Sequence, residues 1–570
     1  QSFNIAIGDA AGLSITTGVE NTIIGGNAGD ALTDADYNVA VGAGALSADT
    51  LGSRSVAIGR SALSAQNFTT ATNSYNTAVG HEAGQAVTTG IKNTLIGGLA
   101  GDALTDAAFN VALGYQALSY DQLGSNSVAI GNQALTTQRF ATATNSYNTA
   151  VGAQAGQEVT TGLHNTLIGG LAGDALTDAD SNVAIGAFAL GSDTLGSRSI
   201  AIGQGALDTQ NFITATNTYN VAVGYEAGTA VSTGVENTIV GGLAGDALTT
   251  GSQNVALGYL ALSSDDLGSD SVAIGKGALE NQNYTTATNS YNTAVGRDAG
   301  NDVTTGISNT LIGGLAGDAI TDADYNVVMG YLALSADTLG SRSVAIGTSA
   351  LRNQNFTTAT DTFNTAVGHD AGTAVTTGVQ NTILGGLAAD DLTTGSGNVL
   401  VGYNLSMGNV ATDQTICIGY GIASAGSNNV KIGTAAGTAT LGLDGSDTSW
   451  AAASDERLKK DVATSTAGLS FIKDLRPITY KWKAKDAVAN TLPQYDADSS
   501  DPVYGSGKTQ HGFIAQEVKA AIDSHSEIKN GFSMWVEDPD GTQQVAPSAL
   551  VPMLVKAIQE LEARIATLEG

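Results

Sequence analysis

Close variants of the phrase NTLIGGLAGDAL begin at Asn21, Asn93, Asn165, Asn237, Asn309 and Asn381, 72 residues apart each time. Inside each period lies a shorter one. Gly80, Gly97, Gly114 and Gly131 close NTAVG, NTLIG, NVALG and SVAIG at steps of 17, and Gly152 follows after a step of 21. The ladder holds 25 such glycines, from Gly8 to Gly433, with a last step of 14. A fixed short period means that each unit buries its apolar face only against its neighbours, which restricts the array to a solenoid.

Each unit reads Asn or Ser, three mostly apolar residues, Gly, two variable residues and Ala. The apolar triplet predicts a short strand, and the Gly a bend or a close backbone approach. Seventeen residues are too few for a strand plus a useful helix, but two short strands and two turns fit. Stacked at ~4.8 Å per rung, 25 rungs predict a rod roughly 120 Å long. The residue opening the strand is Asn in three rungs of four and Ser in the fourth (Ser55, Ser127, Ser199, Ser271, Ser343). Stacked amides can hydrogen-bond along such a rod; equally, Asn simply suits a turn. Core positions are small, so a single roll is marginal and several parallel copies are expected to pack together.

Composition splits the chain. All six prolines lie beyond residue 453, and all three tryptophans lie at or beyond Trp450. Residues 1–453 carry 10 Lys+Arg and 36 Asp+Glu, whereas residues 454–570 carry 13 and 17. The expected organisation is a repeat shaft over 1–440, a neck over 441–453 and a smaller α+β domain over 454–570. A net charge of −30 argues against nucleic-acid binding, which needs clustered cations. No apolar run reaches the roughly 18 residues that span a bilayer. The single Cys417 forbids an intrachain disulfide and reads as a small core residue. No signal peptide is recognisable at Gln1, and Asn4 already opens a rung, so a segment joining the shaft to a virion or cell is expected upstream.

The array resembles the head repeats of trimeric autotransporter adhesins, on SVAIGRSAL, SVAIGNQAL and SVAIGKGAL at 55–63, 127–135 and 271–279. That family's units of about 14 residues imply a trimeric β-roll. The C-terminal part carries SDERLK at 454–459, FIKDLRPITYKW at 471–482, HGFIAQEV at 511–518 and a closing VAPSALVPMLVKAIQELEARIATLE. In this order the four blocks resemble the intramolecular chaperone and auto-processing domain of phage tail fibres, tailspikes and endosialidases, also found in the myelin regulatory factor. The resemblance implies a Ser-Lys dyad, Ser454 and Lys459, and self-cleavage between Ala453 and Ser454. Ser454 would be the nucleophile, and Lys459, desolvated in an assembled trimer, the general base. Asp455 and His511 are candidates for orienting the dyad. DERLKK also reads as a helix start. Tyr480 and Trp482 fall on one strand face, as core residues. Val551, Leu554, Ile558, Leu561, Ile565 and Leu568 are spaced 3-4-3-4-3, a short heptad seam that predicts a helix sealing a trimer.

Each four-residue enlargement carries two aromatic positions. The first is Phe68, Phe140, Phe212, Tyr284 or Phe356; the second is Tyr75, Tyr147, Tyr219, Tyr291 or Phe363. Rings beside Asn, Thr and Gln suit carbohydrate contact; alternatively they plug their own loops. The Asp-rich GDALTDAD turns lack the spacing of a Ca²⁺ loop and read as solvated. The shaft histidines His81, His164 and His369 have no one place in the repeat common to all three, so neither metal nor cofactor is expected. The reading is a homotrimeric phage tail fibre on the virion, binding a cell-surface receptor, for which a glycan is the candidate, and joined to other tail proteins upstream. A bacterial surface adhesin is the first alternative, though no membrane-anchoring strands follow the array. A glycan-degrading tailspike is the second, though near-perfect repetition leaves little room for a unique acidic active site.

Overall fold

The computed structural model describes residues 2–443, 451–452, 456–490, 492, 494–504, 507–538 and 541–570. The chain falls into two compact units, Gln1–Ala453 and Ser454–Gly570.

In the first unit, each apolar triplet is a strand, and successive strands pair in parallel and in register. Thr77–Val79 lies on Thr94–Ile96, which lies on Val111–Leu113. Twenty-five such strands, from Ile5–Ile7 to Asn429–Thr434, form one continuous ladder. Gly437–Gly442 then folds back antiparallel on Asn429–Thr434, and Ala451–Ala452 adds to it, also antiparallel. This is the expected β-solenoid, with one difference. Most rungs have one strand, not two, and a second two-residue strand forms only beside each enlargement, as where Gly52–Ser53 pairs with Thr72–Asn73; the rest is stacked turns. These turns place non-glycine residues in the left-handed region, among them Glu82, Lys92 and Leu99, at φ 57° to 59°. Such residues cost energy singly, but here hydrogen bonds to adjacent rungs fix them. The N–H of Glu82 donates to Arg60 O at 2.9 Å, that of Lys92 to Ser74 O at 2.7 Å and that of Leu99 to His81 O at 2.9 Å.

The ladder glycine is required for close approach. Gly97 has φ 136°, and a Cβ there would run into the carbonyl of Gly114 in the next rung. The same collision recurs up the stack. The core is thin. The middle strand residue, the Ala three places after the glycine and a Leu or Val of the turn are fully buried, as at Ala78, Ala83 and Val87. Cys417 occupies the middle strand position and is buried.

The Asn ladder exists, but it runs from side chain to backbone. Asn93 N donates to Asn76 Oδ1 at 2.9 Å, and Asn110 N to Asn93 Oδ1 at 3.0 Å. The Asn93 amide donates to Ala107 O at 2.9 Å. These buried amides therefore satisfy themselves between rungs. In the Ser rung the enlargement supplies the missing amide. Gln66 Nε2 donates to Ser55 Oγ at 2.8 Å and to Asp49 Oδ2 at 2.6 Å, and Gln66 Oε1 accepts from Asn76 Nδ2 at 2.8 Å. Asp49 Oδ1 accepts the N–H groups of Gly52 and Phe68 at 3.0 and 3.1 Å. The cluster repeats around Asp121, Asp193, Asp265 and Asp337, and all five carboxyls are buried.

Burial pushes each of these five carboxyls above the ordinary Asp range, against the opposing pull of the Gln and backbone donors. A carboxyl that holds its proton more tightly when folded favours folding in acid. Its contribution is complete below the unfolded value and is lost as pH rises through the folded one. We therefore expect the shaft to melt at a higher temperature at about pH 4.5 than at about pH 7.5. Replacing the five aspartates by Asn should reduce that difference. A parent shaft whose melting temperature falls on acidification contradicts this.

In the second unit, helix α1 (Leu469–Asp474) packs against helix α3 (Val551–Glu569), and helix α2 (Ala515–Ser524) lies against the hairpin Trp535–Glu537/Gln543–Val545. Their core is built on Phe471, Val518, Ile522, Met534 and Leu550. Glu560 of α3 accepts the N–H of Leu469 at 2.9 Å, satisfying a free donor at the start of α1. Arg476 binds Glu517 through two hydrogen bonds. No helix among the described residues is long and apolar enough to cross a membrane.

Candidate processing site and exposed ring stripe

Residues 456–460 form no α-helix. Glu456–Leu458 is one 3₁₀ turn, from which Lys459 N donates to Glu456 O at 3.0 Å. Asp461 then takes φ 57° and ends the turn, and α1 begins only at Leu469. Lys459 is exposed within its own chain. Ala453, Ser454 and Asp455 lie outside the described residues, so the distance within the proposed dyad is not defined. His511 stands opposite Thr479 in the pairing of Ile478–Tyr480 with Gln510–Gly512 and is exposed.

Tyr480 and Trp482 are not core residues, contrary to the sequence expectation. Trp482 follows the strand and is exposed, and it meets Tyr480 and Tyr504 edge-on at 5.2 and 4.9 Å. The three rings line a cavity of about 680 Å³ together with His511 and Gln543. On α3 the whole seam is uncovered, with Val551, Leu554, Ile558, Leu561, Ile565 and Leu568 between 43% and 87% exposed.

The ten aromatics of the enlargements divide sharply. Phe68, Phe140, Phe212, Tyr284 and Phe356 are only 4% to 7% exposed. They plug their own loops and present no face to a partner, which corrects the contact role read from the sequence. Thr72–Asn73 pairs in parallel with Gly52–Ser53, laying the enlargement on the preceding rung. Tyr75, Tyr147, Tyr219, Tyr291 and Phe363, by contrast, are 50% to 58% exposed. They occupy the left-handed position just before the ladder Asn.

The same position in other rungs holds residues that sequence reasoning missed. The Arg54 guanidinium lies 4.8 Å from the Tyr37 ring and 5.8 Å from the Tyr75 ring. Arg342 lies likewise between Tyr325 and Phe363, at 5.0 and 5.9 Å. Lys92 sits 4.9 Å from Phe109, and His164 stacks on Tyr147 at 5.7 Å. The signal was available: these residues share one place in the 17-residue unit. The column is mixed, because the same place holds Glu20, Glu236 and Asp270 in other rungs.

The acidic turns are solvated at residues such as Asp34 and Asp178, as expected, but not at their first Asp. Asp30, Asp102, Asp246 and Asp318 each bury one carboxylate oxygen that has no hydrogen-bond partner. Burial, reinforced by Glu82, pushes Asp102 up to about 6; burial, reinforced by Asp302 and Asp298, does the same for Asp318. Among the described residues no three His, Cys, Asp or Glu side chains converge as a metal site.

No curated protein and no solved structure matches the chain. Residues 454–526 match the family described as the chaperone of endosialidase, and that match opens on Ser454, the first residue of the second unit.

Proposed function

We propose that the chain is a homotrimeric fibre of the phage-tail kind, whose C-terminal unit directs assembly and then releases itself. The observation that carries this reading is a chaperone-type segment placed directly after a solenoid of 25 near-identical rungs. Such a stack needs outside help to choose its alignment. In the release step Ser454 Oγ attacks the Ala453 carbonyl and gives its proton to Lys459. The Ala453–Ser454 amide breaks, the freed Ser454 amine takes a proton, and water then hydrolyses the Ala453 ester. The exposed seam of α3 suits a three-helix contact. Running the expressed chain on a gel, boiled and unboiled, tests both halves together. A slow unboiled band that resolves into two fragments on boiling supports the reading, and a single band of 57.1 kDa under both conditions overturns it.

Host attachment belongs to the exposed ring stripe in this reading. One ring supplies about 1 kcal/mol, and repetition along three chains turns weak contacts into firm ones. On cells to which the parent adsorbs, replacing Tyr75, Tyr147, Tyr219, Tyr291 and Phe363 together by Ala should abolish adsorption, and replacing one should barely matter. Replacing the buried Phe68 set should instead lower the melting temperature. Normal adsorption by a folded, trimeric five-fold variant moves the receptor contact elsewhere.

A further inference from the structure

The first and third residues of each ladder triplet, from 5–7 to 430–432, point out of the solenoid, while the middle one, buried in every rung but the first and last, points in. The outward columns hold only Thr, Val or Ile in the first place and Ile, Val, Leu or Met in the third, through all 25 rungs. None of these fifty positions is charged, in a chain that is 13% charged. Ile24, Ile58, Leu113, Ile168, Ile274 and Met329 remain 36% to 42% exposed there. Two columns over the whole stack make an apolar strip of roughly 800 Å². That exceeds the patch an ordinary monomer leaves uncovered and matches about one partner's share of a specific interface.

Whatever covers the strip must repeat at the same rung spacing over the same length, and another copy of this chain does so. We infer that the outward strand face is the surface on which copies of the chain meet, with identical rungs at the same height. The inference rests on the trimeric reading above and adds the face and the register. The first column supports equal height. Two Thr rungs alternate with two aliphatic ones, as in Thr77, Thr94, Val111, Val128, Thr149 and Thr166. Equal heights bring the Thr rungs of all copies to common levels and the aliphatic rungs to others. A slip of one rung mismatches about half of them, and a slip of two mismatches nearly all. A slip of four rungs, one 72-residue period, restores the match, so the strip leaves only that slip to be prevented by the C-terminal unit.

Cysteine cross-linking tests this in a full-length Cys417→Ala background. Thr166→Cys is a near-equal exchange in size, and Ile168→Cys repeats the test on the other column. Both should give a covalent dimer on a denaturing gel after mild oxidation or treatment with a short bis-maleimide. Asp178→Cys, on an exposed turn of the same rung, should give none. The native mass is measured in parallel. A trimeric particle with no cross-link from either strand position, or with cross-links from Asp178→Cys alone or equally from all three, overturns the assignment of the face and leaves the trimer standing. A monomeric mass overturns both.

Discussion

Synthesised without residues 454–570, the shaft should sediment as monomer and aggregate, whereas the same residues removed after assembly should leave a stable trimer. The expectation follows from the repeat itself. Every strand pairs in register with its neighbours, yet the pattern returns every 72 residues. Chains displaced by one period therefore bury almost the same side chains, and misaligned assemblies compete closely with the native one. Only a unique segment can break that degeneracy, and the second unit is unique. Once the strips are covered, separation requires exposing the whole apolar face at once, so the unit is no longer needed. Sedimentation velocity on both preparations decides the matter. A truncated chain that assembles as the parent does shows that the shaft sets its own register.

Ser454→Ala should leave one band of 57.1 kDa on a denaturing gel, where the parent yields a shaft fragment and the 117 residues from Ser454 to Gly570. The loss should be complete because alanine has no nucleophile. Lys459→Arg should block cleavage equally, since a guanidinium stays protonated and cannot accept the serine proton. Both variants should still form trimers, which separates the release step from the assembly step. His511→Ala should cleave as the parent does. A Ser454→Ala chain that still yields two fragments assigns the cut to another residue or to a contaminating protease.

The solenoid was legible because one short period dominates the sequence. The apolar triplet and the glycine after it can be satisfied only by stacking strands and close carbonyl approach, as at Gly97 and Gly114. The turns were less legible. Residues such as Glu82 and Lys92 have no intrinsic preference for positive φ, and only their inter-rung hydrogen bonds hold them there. That is why a second strand per rung was expected where turns are found. The Asp49–Gln66–Ser55 cluster was missed because its members are far apart in sequence and meet only when the enlargement folds back. The two rings of each enlargement looked alike in composition, and only the path of the loop separates buried Phe68 from exposed Tyr75. In the second unit, the α3 seam was legible from its spacing, whereas Trp482 was misplaced because the strand ends at Tyr480. The proposed Ser454–Lys459 dyad rests on the resemblance carried by four sequence blocks in order, and no local pattern around Lys459 points to it.

The central claim is that three copies of this chain assemble through a C-terminal chaperone. The native mass of the purified full-length protein, determined by light scattering during size-exclusion chromatography, tests it most directly. The expected result is a particle of three 57.1 kDa chains, or of three shaft fragments after release, at every concentration measured. A single-chain mass, or one that drifts with concentration, contradicts it.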